Sequence, residues 1–473
     1  MNPDIATVVY VLLIIGLFWL DRDNAARISV SLWLPIFWIL IACSRSVSQW
    51  MQLGVPIDTS NQVMEGSPVD RAVYMVLVVA GVIVLASRPS RLGKLLRANL
   101  AVVVFFLYCL ISMIWSDYPE VAFKRWIKAL GDFIMVMIVL TDRDPANSVK
   151  RLLVWTSYIL IPLSLLFIKY IPELGKTYGR WDYRAYYTGV TTNKNSLGAI
   201  CLLFGLASLW RFMSDLTEKE PRRLIAHSVI LGMVLWLFWM ADSMSSLSSF
   251  LLACPLVLAA SRQEFIRRPA ALHLLAGAVV MVSLIALFVA PSLLSAVGRD
   301  ATLTDRTNIW KLALSLMPNP LIGTGFESFW LGRRLDRMWA EFSWQPNQAH
   351  NGYLETYLNL GWIGVALLGA VIVSGYSHTV DAVRRQLPTA NLAFAYCVVG
   401  VVYNCTEASF FRMTAPVWIF FLMAILKLPT ISRPVTGVSL MSCDRPHAAA
   451  IVSLEQSLGR RTAADESSSG AAV

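Results

Sequence analysis

Charged residues are scarce in this sequence. They make up 15% of its 473 residues, against about 25% in an average soluble domain, while hydrophobic residues reach 56% and the mean hydropathy is +0.59. A soluble protein of this length needs far more polar side chains to cover its surface. The composition therefore excludes a soluble enzyme, a disordered protein and a disulfide scaffold, and leaves a helical protein with several membrane spans.

Patterns that bind metals are also missing. The seven Cys lack metal-ligand spacing, and most lie inside apolar runs, where they are predicted to be packing residues. Two D-x-D sequences, Asp21-Arg-Asp23 and Asp142-Arg-Asp144, fall in short predicted cytoplasmic loops that cannot build a nucleotide-binding domain, so we interpret them as charged ends of spans. We therefore expect no catalytic metal, no cofactor and no nucleic-acid partner.

Apolar runs of spanning length recur along the chain. A bilayer core needs about 20 apolar residues in a helix. The first run has no basic segment before it and no small-residue cleavage site, so we expect a span rather than a cleaved signal peptide. These runs predict an all-α polytopic membrane protein with 12 or 13 transmembrane helices, the uncertain one being 126–141, which contains Lys128 and Asp132. The runs are 4–20, 28–44, 71–87, 98–116, 126–141, 152–171, 195–212, 225–241, 244–261, 271–291, 351–377, 390–408 and 413–428.

The loops differ in basic residues and in length. One set is short and holds more than half of the 40 Lys and Arg, so it is predicted to be cytoplasmic. The other side carries a long loop, 292–350, with a predicted amphipathic helix beginning near 304, and such a loop suggests a lid over an external site. We expect one transmembrane domain over 1–428, including that loop, and a disordered cytoplasmic tail over 429–473.

The first external segment with polar groups is T-Y-G-R-W-D-Y-R-A-Y-Y-T-G-V-T-T-N-K-N-S-L-G. It contains Arg180, Arg184, Lys194 and Asn195 among several aromatic residues. An interfacial aromatic belt with cations that reach toward water would explain them. Cations are disfavoured on this side, however, and a guanidinium binds two phosphate oxygens at once, so an anionic ligand is the alternative.

The second segment contains Arg299 and Arg306. Arg306 is predicted to lie in the first turn of the amphipathic helix, where the helix dipole disfavours a cation. A phosphate at that position could bind the helix N-terminus and Arg306 together. The alternative is a solvated loop arginine.

The third segment, H-N-G-Y-L-E, begins with the only one of the five His that the predicted topology places outside. Histidine accepts a proton near neutral pH, so His350 could act as a general base on a hydroxyl group. Glu355 could orient this histidine or bind sugar hydroxyls. A single loop histidine is more often structural, but the external arginines favour a catalytic role.

Together these segments resemble the O-antigen ligase and O-antigen polymerase family, in particular its exopolysaccharide polymerase branch. The resemblance extends over about 98–428, and its motifs keep their order and their predicted external placement. The motifs are W-S-D-Y-P-E at 115–120, T-N-K-N-S-L-G at 192–198, D-R-T-N-I-W at 305–310, G-T-G-F-E-S-F at 323–329, H-N-G-Y-L-E at 350–355 and G-W-I-G at 361–364.

The resemblance implies a metal-independent glycosyltransferase of the GT-C type in the bacterial inner membrane. Its substrate would be glycan on undecaprenyl diphosphate, transferred to a sugar hydroxyl at the periplasmic face. The essential histidine of the family corresponds to His350, and its arginines near the diphosphate correspond to Arg306 and to Arg180 or Arg184. Lys194, Asn195, Arg299 and Glu355 are expected to contact substrate. The expected partners are the lipid-linked oligosaccharide, an acceptor glycan, membrane lipids and a chain-length regulator.

Three functions remain open. A polymerase joins lipid-linked repeat units, and K-N-S-L-G favours this branch; a ligase transfers the same donor to lipid A core. A transporter of polysaccharide or lipid-linked sugar is the alternative of another class. Transporters often have internal repeats and ionisable groups at mid-membrane, whereas this sequence shows no repeat, and its only clear mid-span charges are Lys128 and Asp132, spaced as a local ion pair.

Overall fold

Helices account for nearly all secondary structure in the computed structural model, which describes residues 2–22, 29–52, 66–178, 184–296, 302–412 and 415–428. Two short strands form the one antiparallel hairpin among these residues. The elements in chain order are α1 (Pro3–Leu20), α2 (Trp33–Ala42), α3 (Val47–Trp50), α4 (Pro68–Ala86), α5 (Pro89–Ala98), α6 (Leu100–Ile111), α7 (Pro119–Leu140), α8 (Pro145–Tyr170), α9 (Pro172–Gly175), β1 (Lys176–Tyr178), β2 (Ala185–Tyr187), α10 (Lys194–Glu218), α11 (Pro221–Ala241), α12 (Met244–Ala260), α13 (Gln263–Ile266), α14 (Pro269–Ala296), α15 (Thr302–Ser315), α16 (Gly332–Glu341), α17 (Gly352–Arg384), α18 (Ala390–Tyr403) and α19 (Pro416–Ile425).

Local sequence explains where many helices begin. Nine of the helices that we name start with proline, whose fixed φ and missing N–H suit the first helical position. Polar side chains cap others, as Asn193 does for α10 by accepting a hydrogen bond from Ser196 N at 2.8 Å. Asp144 caps α8 in the same way, so one carboxylate of the second D-x-D sequence lies at a helix end, as predicted.

Seven helices in the described part of the chain are long and apolar enough to cross a membrane: α1, α4, α8, α10, α11, α14 and α17. The pair α5 and α6 adds an eighth if it is one span bent by 90°. Four more apolar helices, α2 with its preceding turn, α12, α18 and α19, have 10–17 residues. The chain is therefore an all-α, multi-pass membrane protein, as predicted, while the count of 12 or 13 spans and the GT-C type stay predictions.

The uncertain run 126–141 lies in α7 and is largely buried. Its two charges, Lys128 and Asp132, lie four residues apart on the helix, and each also contacts a neighbouring helix. Asp132 accepts a hydrogen bond from Trp38 Nε1 at 2.7 Å, and Lys128 Nζ lies 4.6 Å from the centre of the Tyr74 ring. Both charges thus have partners on neighbouring helices, which explains how a buried helix tolerates them.

The core forms around α10, which packs against α8, α11, α12, α18 and α19. The long helix α17 is bent at Gly361, where φ is +63° and ψ is −165°. Only glycine adopts that conformation readily, and a Cβ there would lie 2.2 Å from the carbonyl oxygen of Leu321. The bend separates the first turns of α17, which contain the third sequence motif, from the rest of the helix.

Candidate active site

Polar residues from four segments meet at one end of the helices. This end contains the starts of α10 and α17, the first part of α15 and the chain that follows α18. Three residues predicted from separate motifs, Asn195, Arg306 and His350, contact one carboxylate, that of Glu407. We call these four residues the Glu407 cluster.

His350 lies two residues before the start of α17 and has φ of +51°, which is uncommon for a residue other than glycine. The next residue, Asn351, caps α17 by accepting hydrogen bonds from Tyr353 N at 3.0 Å and Leu354 N at 2.9 Å. Asn351 Nδ2 also donates to the carbonyl of Cys405 at 3.1 Å. The cap therefore fixes the direction of the chain at His350 and attaches it to the segment that contains Glu407.

Glu407 uses both of its carboxylate oxygens. Oε2 lies 3.1 Å from His350 Nδ1, and Oε1 accepts hydrogen bonds from Asn195 Nδ2 at 3.1 Å and from Arg306 Nη2 at 3.4 Å. Arg306 Nη1 also donates to the carbonyl of Thr406 at 2.6 Å. A histidine, an arginine and a carboxylate in direct contact can accept a proton and bind an anion at one place.

The Glu407 cluster is half-buried rather than sealed. The side chains of His350 and Arg306 are 17% and 18% exposed, and that of Glu407 is 9% exposed. The ring of Trp344 lies 6.2 Å from that of His350. A ligand can therefore reach the histidine and the arginine, and an aromatic surface is available beside them for a sugar ring.

A second set of contacts holds the loop that contains His350. Gln348 Nε2 lies 3.4 Å from His350 Nδ1, and Arg412 donates to the side-chain oxygen of Gln348. Trp310 Nε1 donates to the carbonyl of Ala349 at 2.7 Å, so α15 contacts the same loop. These contacts bring another arginine close to the Glu407 cluster.

Glu355 hydrogen-bonds to neighbouring protein groups. Its carboxylate accepts hydrogen bonds from Trp330 Nε1 at 2.9 Å and from the backbone N of Ala349, next to His350. These contacts hold the loop at Ala349, next to His350, and they agree with the orienting role more than with sugar binding.

The remaining predicted residues lie elsewhere. Lys194 Nζ is 4.0 Å from Asp242 and 4.9 Å from the centre of the Tyr186 ring, so its contacts lead away from Glu407. Arg184 is exposed just before β2. Arg180, Arg299 and the tail 429–473 lie outside the described residues.

The structure corrects the position of Arg306 within its helix. Because α15 begins at Thr302, Arg306 is its fifth residue and lies beyond the first turn. The suggestion that one phosphate binds the helix N-terminus together with Arg306 stays a prediction. In the structure the guanidinium contacts Glu407 and Thr406.

The glycine turn of G-T-G-F-E-S-F is a packing element. Gly325 N donates to the carbonyl of Asn359 at 2.8 Å, and Asn359 Oδ1 accepts from Ser328 N and Phe329 N at 2.9 and 3.0 Å. The turn thus packs directly against α17 at its bend. The two glycines, both with positive φ, therefore form a tight turn.

Arg45, which lies between α2 and α3, connects two other loops. Arg45 donates through Nε to the carbonyl of Thr191 at 3.3 Å and through Nη2 to the carbonyl of Leu174. Burial lowers the pKa of this guanidinium from its ordinary value. Arg45 therefore positions the loop before α10, which leads to Asn195.

The sequence motifs did not point to Glu407. It lies at the end of the predicted span 390–408, where hydropathy assigns it to an apolar run. The available signal was an acidic residue at the outer end of a span, three residues after Asn404 and five before Arg412. That signal is weak, since charged residues are common at span ends.

Comparison with known proteins identifies two matches. Residues 187–369 match the family model described as O-antigen ligase, a stretch that contains Asn195, Arg306 and His350. The exopolysaccharide production protein ExoQ of Rhizobium meliloti (strain 1021) is 26% identical over 300 residues. That alignment covers 58% of this chain and 63% of ExoQ, so it spans somewhat less than two thirds of the relative.

Proposed function

This chain resembles the O-antigen ligase and exopolysaccharide polymerase family, and from that premise we propose that it joins lipid-linked oligosaccharide repeat units into exopolysaccharide. The comparisons support a glycan-processing function related to exopolysaccharide or O-antigen. The finer proposal is glycosyl transfer at the periplasmic membrane face, with undecaprenyl diphosphate as the leaving group. One observation carries it: His350, Arg306 and Asn195 come from separate segments and meet at one carboxylate.

We derive the reaction from the groups in the Glu407 cluster. The acceptor hydroxyl oxygen attacks the anomeric carbon of the donor glycan, and the bond from that carbon to the diphosphate oxygen breaks. The electron pair of that bond leaves with the diphosphate. His350 takes the proton of the hydroxyl, and Arg306 stabilises the negative charge that grows on the diphosphate. The proposal uses no metal ion and no nucleotide sugar.

The environment suits a lipid-linked donor. The cluster lies at the ends of apolar helices, so a lipid tail can stay in the bilayer while its diphosphate reaches the arginine. A cation at the edge of a bilayer costs free energy unless a counter-ion accompanies it. Glu407 supplies such a counter-ion, at 3.4 Å from Arg306.

A ligase is the second candidate, and the family description favours it. Polymerase and ligase share the donor and the leaving group and differ in the acceptor. The printed name of the relative, an exopolysaccharide production protein, favours the polymerase. Purified protein given only lipid-linked repeat units distinguishes the two, because a polymerase elongates them and a ligase needs lipid A core.

The test of the proposed function is His350→Ala. We expect loss of polymer by a factor of at least about 100, the usual contribution of general acid–base catalysis, with lipid-linked repeat units accumulating on the periplasmic leaflet. The matched control is His273→Ala. That histidine is exposed on α14 and contacts the Tyr376 hydroxyl at 2.8 Å, and its loss should leave polymer synthesis normal.

Two outcomes would contradict the proposal. Normal polymer from His350→Ala at wild-type abundance would remove the histidine from the mechanism. Repeat units that accumulate on the cytoplasmic leaflet instead would favour a transporter, because transfer across the membrane would then be the step that fails.

A further inference from the structure

The Glu407 carboxylate is held in one orientation by its contacts. It follows α18 and is 9% exposed, less than either His350 or Arg306. Each carboxylate oxygen has separate partners, with His350 at Oε2 and with Asn195 and Arg306 at Oε1. The two donors at Oε1 fix the rotation of the carboxylate group, and Oε2 is therefore held toward the imidazole.

The backbone beneath this contact is also fixed. Asn404 Oδ1 accepts hydrogen bonds from Ser409 N and Phe410 N, both at 2.9 Å, which closes the segment around Glu407. The Asn404 carbonyl accepts from Gly352 N at 2.8 Å, so the same residue attaches to the start of α17. A Cβ at Gly352 would lie 2.1 Å from Asn404 Oδ1, and this close approach requires glycine. The segments that contain Glu407 and His350 are thus connected on both sides of the contact.

We infer that Glu407 is the positioning residue for His350. The carboxylate accepts the Nδ1 proton of the imidazole at 3.1 Å, which leaves Nε2 as the nitrogen that takes the proton of the acceptor hydroxyl. When His350 becomes positively charged during the reaction, the nearby carboxylate stabilises that charge. This inference rests on the proposed function and assigns Glu407 no contact with substrate.

The surroundings of Nε2 agree with this assignment. Glu407 Oε2 can only accept, and at 3.1 Å it takes the Nδ1 proton, whereas Gln348 Nε2 makes only a longer contact of 3.4 Å with the same nitrogen. Within the described part of the chain, no hydrogen bond to Nε2 is present. The charged groups around the ring are Glu407 after α18, Arg306 on α15, Arg412 through Gln348, and Glu355 of α17 through the backbone of Ala349. Glu407 is the carboxylate in direct contact.

The experiment compares Glu407→Gln, Glu407→Ala and the wild-type protein in polymer synthesis by purified protein, across a range of pH. Glutamine keeps an oxygen that can accept a hydrogen bond and loses the charge, whereas alanine loses both. We expect turnover to fall about 10-fold in Glu407→Gln, where part of the contact remains, and about 100-fold in Glu407→Ala, the lower end of what general-base catalysis supplies.

The pH profile separates positioning from a merely structural role. Without the carboxylate the protonated imidazole is less stable, so the acid side of the profile in Glu407→Gln should move to lower pH. The control is Glu341→Gln, an exposed glutamate at the end of α16, whose turnover and profile should equal those of the wild type. Should Glu407→Gln lose activity with an unchanged profile, the inference is wrong and Glu407 is structural.

Failure of this inference differs from failure of the proposed function. If His350→Ala abolishes synthesis while Glu407→Gln shows an unshifted profile, the enzyme remains and only the positioning role is lost. If His350→Ala synthesises normal polymer, both fail. Wild-type turnover in both Glu407 variants likewise overturns the inference alone.

Discussion

One helix, α10, contributes to two polar clusters that contain the same residue types. Asn195 in its first turn belongs to the Glu407 cluster, and Arg211 and Asp215 near its other end form a second cluster with His227 of α11 and Asp21 after α1. Asn195 and Asp215 are separated by 20 positions, which is about 30 Å along a helix and close to the thickness of a bilayer core. We call the second set the Asp215 cluster.

The two clusters differ in access and in the chain that carries them. His350 and Arg306 are 17% and 18% exposed and depend on loops and helix starts. His227 and Asp215 are 1% and 0% exposed and lie within helices. A histidine, an arginine and carboxylates are therefore insufficient to define a site. The cluster that a ligand can enter is the candidate, whereas the buried one connects α1, α10 and α11.

The Asp215 cluster is incompletely hydrogen-bonded. Arg211 Nη2 donates to Asp215 Oδ1 at 2.8 Å, while His227 Nε2 is 3.6 Å from carboxylate oxygens of both Asp215 and Asp21. These longer separations exceed ordinary hydrogen-bond distances. The cluster therefore stabilises through charge rather than through a complete hydrogen-bond network, and loss of its arginine should affect the folded state more than the chemistry.

Among the variants that test the difference between the two clusters, Arg306→Ala is expected to have the largest effect on turnover. Loss of a group that stabilises charge in the transition state reduces turnover by about 100- to 1,000-fold. Arg306→Lys should retain an intermediate activity, because lysine keeps the charge without the planar donor fork. Polymer synthesis by purified protein measures both, with Arg337→Ala on the exposed side of α16 as the control. Wild-type turnover in Arg306→Ala would contradict the difference between the two clusters.

Arg211→Ala, in the Asp215 cluster, should lower stability and leave turnover unchanged. Removing one partner of a buried ion pair leaves Asp215 without its closest partner, and such a change destabilises a protein by about 3–5 kcal/mol. We expect a lower thermal unfolding temperature in detergent and unchanged turnover per folded molecule. Arg222→Ala is the control, since this exposed arginine contacts the Trp19 ring at 5.6 Å and should change stability little. Loss of turnover without loss of stability would show that the Asp215 cluster takes part in function.

The smallest effect is expected from Lys194→Ala. Its ion-pair partner Asp242 is 81% exposed, and surface ion pairs contribute about 0.2–1 kcal/mol. Thermal unfolding and the concentration of lipid-linked substrate at half-maximal rate should therefore change only slightly. A loss of synthesis as large as that of Arg306→Ala would place Lys194 in the active site, contrary to the contacts of its side chain.

Much of the fold followed from hydropathy, because a bilayer requires long apolar helices whatever their neighbours are. Each of the thirteen predicted runs overlaps a helix of the structure. Run length was less informative: α12, α18 and α19 have 10–17 residues, and their packing against α10, rather than length alone, explains why they are helical. The bend between α5 and α6 has a local cause, Asn99, which donates to the carbonyls of Leu95 and Lys427.

The sequence motifs indicated some residues of the Glu407 cluster and missed one of them. His350, Arg306 and Asn195 each belong to a motif that suggested chemistry, and the structure brings them together. Lys194 adjoins Asn195 in the chain, but successive residues on a helix point about 100° apart, so it contacts Asp242 instead. Glu407 belongs to no motif and is 57 positions from His350, and its role depends on a contact that sequence order does not contain.

The sequence by itself determined the class of protein and the chemical groups available to it. A composition with 15% charged residues requires a membrane solvent, and its few external arginines and one external histidine limit the possible chemistry. Only the tertiary structure decided which of those groups act together. Contact depends on helix packing, on the tight approach of Gly352 to Asn404 and on the caps at helix starts, and these place one buried carboxylate between the histidine and the arginine.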